Sequence, residues 1–228
     1  MMDRILYQSG ACLVVNKLKG EAVEGAKDGI CDLKRLLKEN LKTGFIEAVN
    51  RLDVPVTGCA LFALDSNSLE YLNRCFASVD NQKIEKYYWA IIEKPKDKIH
   101  ESGELHHWIE TDSKTNKSFA YGEKAKQRKK SSLKYRITGE GTNYLFMEIE
   151  LLSGRHHQIR AQLAACGLHI KGDLKYGAKR SEKGGGIRLH ARFLSFPNPL
   201  NKEERIKVTS DPPVMDNLWE AFMGFPQN

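Results

Sequence analysis

The chain has 228 residues, 41% hydrophobic and 29% charged, enough for one large domain or two small ones with a core that needs no disulfide staples. No apolar run approaches the roughly 18 residues of a membrane span, and Gly and Pro are neither dominant nor periodic, so integral membrane, collagen-like and low-complexity classes are excluded. A net charge of +7 raises the odds of a polyanionic partner without requiring one.

The N-terminus carries an acid at Asp3 and a lysine, Lys17, close behind its short apolar run, which does not read as a signal peptide. Five cysteines, odd in number, widely spaced and without a C-x-x-C pair, read as reduced thiols of a cytoplasmic protein. Cys12-Leu13-Val14-Val15 predicts a strand. Leu33, Leu36, Leu37 and Leu41 recur at helical spacing over 32–44, with Asp32 as cap and Gly44 as terminator. Residues 58–64 read as a buried strand, and a helix follows in which Asn67 and Glu70 form a capping box. The aromatic and β-branched run 87–92 is a further strand.

Residues 93–134 are polar, with much charge and few large apolar groups; within them 124–134 is rich in Lys and Arg. That stretch reads either as a phosphate-contacting arm or as a solvated, mobile loop. Tyr144 to Leu151 alternates, with Leu145, Met147, Ile149 and Leu151 on one side and Glu148 and Glu150 on the other. A helix over 156–166 places Ile159, Leu163 and Cys166 on one face, with Gly167 just past its end. After a loop at Gly184-Gly185-Gly186 comes a strand over 187–193, then a last helix with Pro213 near its first position and Val214, Leu218 and Phe222 on one face. Strands and helices without strict βαβ alternation favour an α+β fold, read as a single domain over 1–228.

Phosphate-loop, dinucleotide, zinc-protease and nucleophile-elbow motifs are absent. The pairs His106-His107 and His156-His157 lack supporting ligands at metal spacing, and adjacent side chains diverge on either element, so a polar-surface or RNA-contact role outweighs a metal site. Asn50-Arg51-Leu52-Asp53-Val54-Pro55-Val56-Thr57-Gly58 sets a carboxylate beside an arginine in a loop before a buried strand; alone, this reads as an ordinary ion pair or turn. Three further segments change its weight: Ser153-Gly154-Arg155-His156-His157-Gln158-Ile159-Arg160, Gly172-Asp173-x-x-Tyr176-Gly177, and Leu189-His190-Ala191-x-x-Leu194-x-Phe196.

In this order, with Leu13-Val14-Val15-Asn16-Lys17 and Lys86-Tyr87-Tyr88-Trp89-Ala90, these segments resemble the RluA-type family of RNA pseudouridine synthases over about 5–200. The resemblance implies a catalytic domain around a mixed, mostly antiparallel sheet flanked by helices. It implies isomerisation of a uridine in structured RNA, ribosomal or transfer, with no metal or other cofactor, by a monomer without membrane attachment. Asp53 matches the catalytic aspartate, Arg155 the arginine that keeps it ionised, and Tyr88 the ring that packs on the target base. Arg51 matches a side chain that fills the place of a flipped nucleotide, although a structural salt bridge is an alternative. Lys17 and Arg160 are candidates for phosphate neutralisation or solvated charges; Gln158 and Tyr176 bind substrate or brace the site. Asn50 stands where the family usually has His, and Val54-Pro55 replace a common Arg and acid, which bears on RNA choice. The resemblance begins at the family's first catalytic strand and so implies a catalytic domain without the RNA-binding domain that often precedes it. The rival readings are a non-catalytic RNA-binding protein on the same scaffold and a small-molecule lyase or hydrolase.

Overall fold

In chain order the elements are β1 (Ile5–Gln8), β2 (Cys12–Lys17), β3 (Glu21–Ala22), β4 (Cys31–Asp32), α1 (Leu33–Leu41), β5 (Glu47–Ala48), β6 (Thr57–Ala63) and α2 (Ser66–Ala77). They continue as β7 (Glu85–Glu93), β8 (Ser102–Asp112), β9 (Lys117–Tyr121), β10 (Lys129–Glu140), β11 (Tyr144–Leu151), α3 (Gln158–Ala165), β12 (Leu189–Pro197), β13 (Arg205–Thr209) and α4 (Asn217–Met223). This computed structural model describes residues 2–27, 29–78 and 83–225. The chain forms two compact units, Met1–Lys86 with His190–Val214, and Tyr87–Leu189 with Met215–Asn228.

In the first unit β6 is central. It pairs antiparallel with β2 from Cys12↔Ala63 to Lys17↔Gly58, and parallel with β12 at His190↔Thr57 and Ala191↔Gly58. The β1 and β13 strands extend this sheet antiparallel. One face is covered by α2, where Tyr71, Leu72 and Cys75 pack with Val14, Leu61 and Leu194. Burial on both faces explains why residues 58–63 form an unbroken apolar run rather than an alternating one.

The second unit holds an antiparallel sheet in the order β7-β11-β10-β8-β9. Trp89 stacks on Phe222 of α4 at 4.6 Å, and Phe146 meets the same ring edge-on at 5.5 Å. A buried phenylalanine such as Phe222 stabilises the fold by about 2–3 kcal/mol. Helix α3 is buried all round from Gln158 to Leu163. It ends as its sequence predicts: Gly167 has φ +72, and the N–H groups of Gly167 and Leu168 donate to Ala164 O and Leu163 O. Mixed and antiparallel sheets flanked by helices make the fold α+β, as expected.

Several local expectations are corrected. Helix α2 starts at Ser66, capped by Asp65 instead of an Asn67 box; the Asp65 carboxylate accepts from Ser68 N at 2.8 Å and Ser68 Oγ at 2.5 Å. Lys42, in a left-handed conformation, ends α1 before Gly44 is reached. Helix α4 begins after its cap Asp216, so Pro213 lies outside it and Val214 is exposed. Cys166 is the exposed cap of α3, not part of a buried stripe. The polar stretch 93–134 holds β8, β9 and the start of β10, and Lys129–Lys134 run in a strand and not in a mobile loop.

Candidate active site

In the first unit the Asp53 loop is fixed by its backbone. Asp53 O accepts from Val56 N at 3.0 Å, closing a tight turn, and Leu52 is buried beneath it. Val54 O accepts from Gly20 N at 2.9 Å and from Lys17 Nζ at 3.2 Å. Lys17 ends β2, is completely buried, and also donates to Leu18 O at 2.8 Å. Burial pushes its ammonium down to about 8, opposed by the carboxylates of Glu21 and Asp53. Lys17 is therefore no solvated surface charge; it is a buried cation that holds the aspartate loop and faces its charge.

The turn after Lys17 is secured in the same way. Glu21 accepts from Leu18 N at 2.9 Å and takes both terminal nitrogens of Arg4, at 2.9 and 2.5 Å. On the other side of the loop, buried Asn50 accepts from Leu61 N at 2.7 Å and donates to Cys59 O at 3.2 Å, splicing the chain onto β6. The loop ends on Thr57, whose hydroxyl meets His190 Nδ1 at 2.8 Å. His190 Nε2 faces the carbonyl of Ser210 at 2.9 Å, which can only accept, so Nε2 carries the proton and Thr57 donates to Nδ1. Asp53 is half-buried and Arg51 is exposed at the loop surface.

In the second unit Arg155 lies exposed in the loop between β11 and α3. Buried Gln158 fixes that loop: its Oε1 accepts from Arg155 N at 3.0 Å and Ser153 Oγ at 2.9 Å. Its Nε2 donates to Ser132 O at 3.0 Å and Gln162 Oε1 at 2.9 Å. Arg160, only 5% exposed, makes a bidentate pair with Asp173 at 2.7 Å on both arms and lies 4.8 Å over the Tyr176 ring. Tyr176 sends its hydroxyl to the Ser118 backbone, 2.8 Å from N and 3.1 Å from O, and to His157 Nδ1 at 3.0 Å. Burial, then the charges of Arg160, His156 and Lys175, push His157 down to about 3, so its ring is neutral at physiological pH. The His156 and His157 rings stack at 3.8 Å, an arrangement permitted by the left-handed backbone of His157. Tyr88 is buried on β7 opposite Ile149, near the end of β11 from which the Arg155 loop departs.

Arg155 and Gln158 thus share one hydrogen-bonded cluster, Arg160 and Tyr176 a second with Asp173, and Lys17 holds the loop that bears Asp53. Sequence reading missed Glu21, Arg4 and Ser118, because Arg4 and Glu21 meet across 17 residues of chain and Ser118 acts through its backbone, neither of which residue spacing reveals.

A family model described as RNA pseudouridylate synthase matches residues 11–165. An uncharacterized RNA pseudouridine synthase of Mycoplasma pneumoniae, the MG209 homolog, is 27% identical over 227 residues, covering 94% of this chain and 69% of its own. A tRNA pseudouridine synthase C of Haemophilus ducreyi is 28% identical over 236 residues, 95% of this chain and 92% of its own. A ribosomal large subunit pseudouridine synthase C of Vibrio parahaemolyticus is 26% identical over 211 residues, 87% of this chain, and the match spans only 62% of that longer protein. The solved structure of human RNA pseudouridylate synthase domain containing 1 superposes with a TM-score of 0.75 at 22% identity, over 98% of this chain and 96% of its own, which shows a shared fold. With more than half its length matched by the family model, and as the RluA-type motifs imply, the chain belongs to the RNA pseudouridylate synthases, isomerases that convert uridine to pseudouridine.

Proposed function

We propose that this protein converts a specific uridine of a structured ribosomal or transfer RNA to pseudouridine, acting as a cytoplasmic monomer without metal or cofactor. The reaction breaks the N1–C1′ bond, turns the base and forms a C5–C1′ bond; C5 loses a proton and N1 gains one. In this reading Asp53 supplies the nucleophile and Arg155 the cation that keeps it ionised. Tyr88 is the ring against the base, and Arg51 fills the place vacated when the nucleotide flips out. Lys17, Gln158, Arg160 and Tyr176 act by holding the loops that bear these groups.

The observation that carries the reading is the fixation of the Asp53 turn by Lys17 and Gly20 through the Val54 carbonyl, with the buried Lys17 ammonium facing the carboxylate. A weak nucleophile is useful only when placed, and two donors on the Val54 carbonyl hold the turn that bears Asp53. The test is a pseudouridine map of total RNA from cells with and without the gene, complemented by wild type or Asp53→Asn. A site that disappears and returns only with the wild type is expected, while purified Asp53→Asn still binds the RNA within about threefold of wild type. Restoration by Asp53→Asn would remove the aspartate from the chemistry. RNA binding without any dependent site would favour the non-catalytic reading.

A further inference from the structure

The outer face of β8, β9 and β10 carries aromatic rings that no core explains. Trp108 stands opposite Tyr121 on β9 and opposite Lys130 on β10. Paired residues share a face, and so do residues two apart on a strand, so Trp108, Tyr121 and Phe119 lie on the same side of the sheet. The opposite side carries Ile109, Ser118 and Ser131, all buried, and His107, which meets Gln162 of α3 at 3.2 Å. The aromatic face is therefore turned away from that helix. Phe119 is 40% exposed, and Trp108 and Tyr121 are half-buried.

Each of these rings has a cation over it. The Arg128 guanidinium lies 3.6 Å from the Tyr121 centroid, the Lys124 ammonium 5.7 Å from that of Trp108, and Lys117 5.4 Å from that of Phe119. The Arg128 guanidinium covers one face of Tyr121 at the separation of a stacked base, so that face accepts a flat group, and a base entering there would displace Arg128. Residues 102–134 hold eight Lys and Arg against four Asp and Glu, and so contribute more than half of the chain's net charge of +7. Of the acids, Glu110 is occupied by Arg128, and Glu104 by His106 and Lys134.

Ring faces interleaved with cations on an open sheet fit unpaired nucleotides: the rings accept base faces, which a duplex hides, and the cations take the phosphates. We infer that this face is a stacking platform for single-stranded RNA, with Trp108, Phe119 and Tyr121 as the base-bearing groups. The inference rests on the RNA reading above and deepens it, since it names the conformation of RNA that is bound beyond the reacting uridine. Strand β9 is also tied to the start of α3, with Ser118 Oγ 2.9 Å from His156 Nδ1, so the platform is joined to the loop that presents Arg155.

The test uses a fluorescein-labelled strand of about 12 nucleotides containing only A and C, which has no uridine to react and no self-complementarity. Wild-type protein is expected to bind it at least tenfold more tightly than the same strand annealed to its complement. Trp108→Ala and Phe119→Ala should each weaken binding about tenfold with an unchanged melting temperature, while Trp108→Phe restores it. Lys130→Ala should lower the slope of log affinity against log salt by about one, whereas Trp108→Ala leaves that slope alone. Equal affinity for duplex, indifference to both alanine substitutions, or displacement of the strand by polyglutamate as readily as by unlabelled RNA would overturn the platform. Turnover of the cellular target by the same preparation is scored separately. Strand binding without turnover sinks the synthase reading alone, and turnover without strand preference sinks the platform alone.

Discussion

Gly58 approaches the backbone of Ala191 so closely that a Cβ on it would stand 2.3 Å from the Ala191 carbonyl oxygen and 2.7 Å from its nitrogen. Its φ of +111° is also a conformation that L residues rarely adopt. This contact belongs to the parallel pairing of β6 with β12, immediately after the Asp53 turn.

Gly58→Ala is therefore expected to cost at least about 3 kcal/mol, because strain and overpacking add at one position. Urea denaturation would show it as a lowered midpoint. A loss under about 1 kcal/mol would mean that the two strands can part at this point without consequence.

Most of the strands and helices with one clear period were legible in the sequence, and the RluA-type motifs identified the family. The strands β8 and β9 were not legible. Their outer positions carry Trp108, Phe119 and Tyr121 amid charges, so apolar and polar residues do not separate cleanly by face. Helix α4 was placed early because Val214 fits the spacing of Leu218 and Phe222, yet Asp216 caps the helix at Trp219 N and leaves Val214 outside. Within the site, the types and order of residues were visible but not their burial. Lys17 and Arg160 read equally well as surface charges, and only the placement of Val54 O and Asp173 distinguishes a pinned interior cation from a solvated one.

The Arg160–Asp173 pair is enclosed on all sides, with side chains 5% and 2% exposed. Removing one member leaves the other charge buried without its bidentate partner, which costs about 3–5 kcal/mol. Asp173→Ala should lower stability by that amount and loosen Tyr176, the ring over which the guanidinium lies. Denaturant melts give the energy, and faster hydrogen exchange at the Ser118 amide, bonded to Tyr176, would report the loosening. An Asp173→Ala protein as stable as wild type would show that Arg160 can reach water.

Lys86 lies 5.1 Å over the Phe76 ring, and burial, with a smaller effect from the like charge of Lys83, pushes its ammonium down to about 8. Its charged form therefore costs the fold free energy below pH 8, a cost relieved as pH rises from about 8 toward the ordinary value of 10.5. Lys86→Met keeps the aliphatic stem and removes the charge. It should stabilise the protein by about 2 kcal/mol at pH 7, and the gain should shrink toward pH 10. Paired thermal melts at the two pH values measure this; a destabilised variant at neutral pH would mean that contact with the ring outweighs desolvation.

His190 and His157 make the opposite contribution on the acid side. Burial is the main cause in both; it pushes His190 down to about 4, with Arg192 adding to it and Ser210 and Asp211 opposing, and His157 down to about 3. The unfolded chain takes up these protons near pH 6.5 while the folded protein refuses them. Stability from the two rings is thus complete above about pH 6.5 and is lost as pH falls, to about 4 for His190 and about 3 for His157. Depressed carboxylates such as Glu182 and Asp216 begin to contribute only near their ordinary values of 4.5 and 3.8, so the interval from pH 6 to 5 isolates the histidines. Half-exposed His107 is shifted in the same direction by its burial. Unfolding free energy should fall by about 2.7 kcal/mol per pH unit there, the slope of the two buried rings, with His107 adding in the same direction. His190→Asn should be less stable at pH 7, through loss of the Thr57 and Ser210 bonds, and its slope should be smaller by about one proton. A flat wild-type profile between pH 6 and 5 would mean that both rings are protonated inside the fold, and the hydrogen bond from Thr57 to His190 Nδ1 would then have to break.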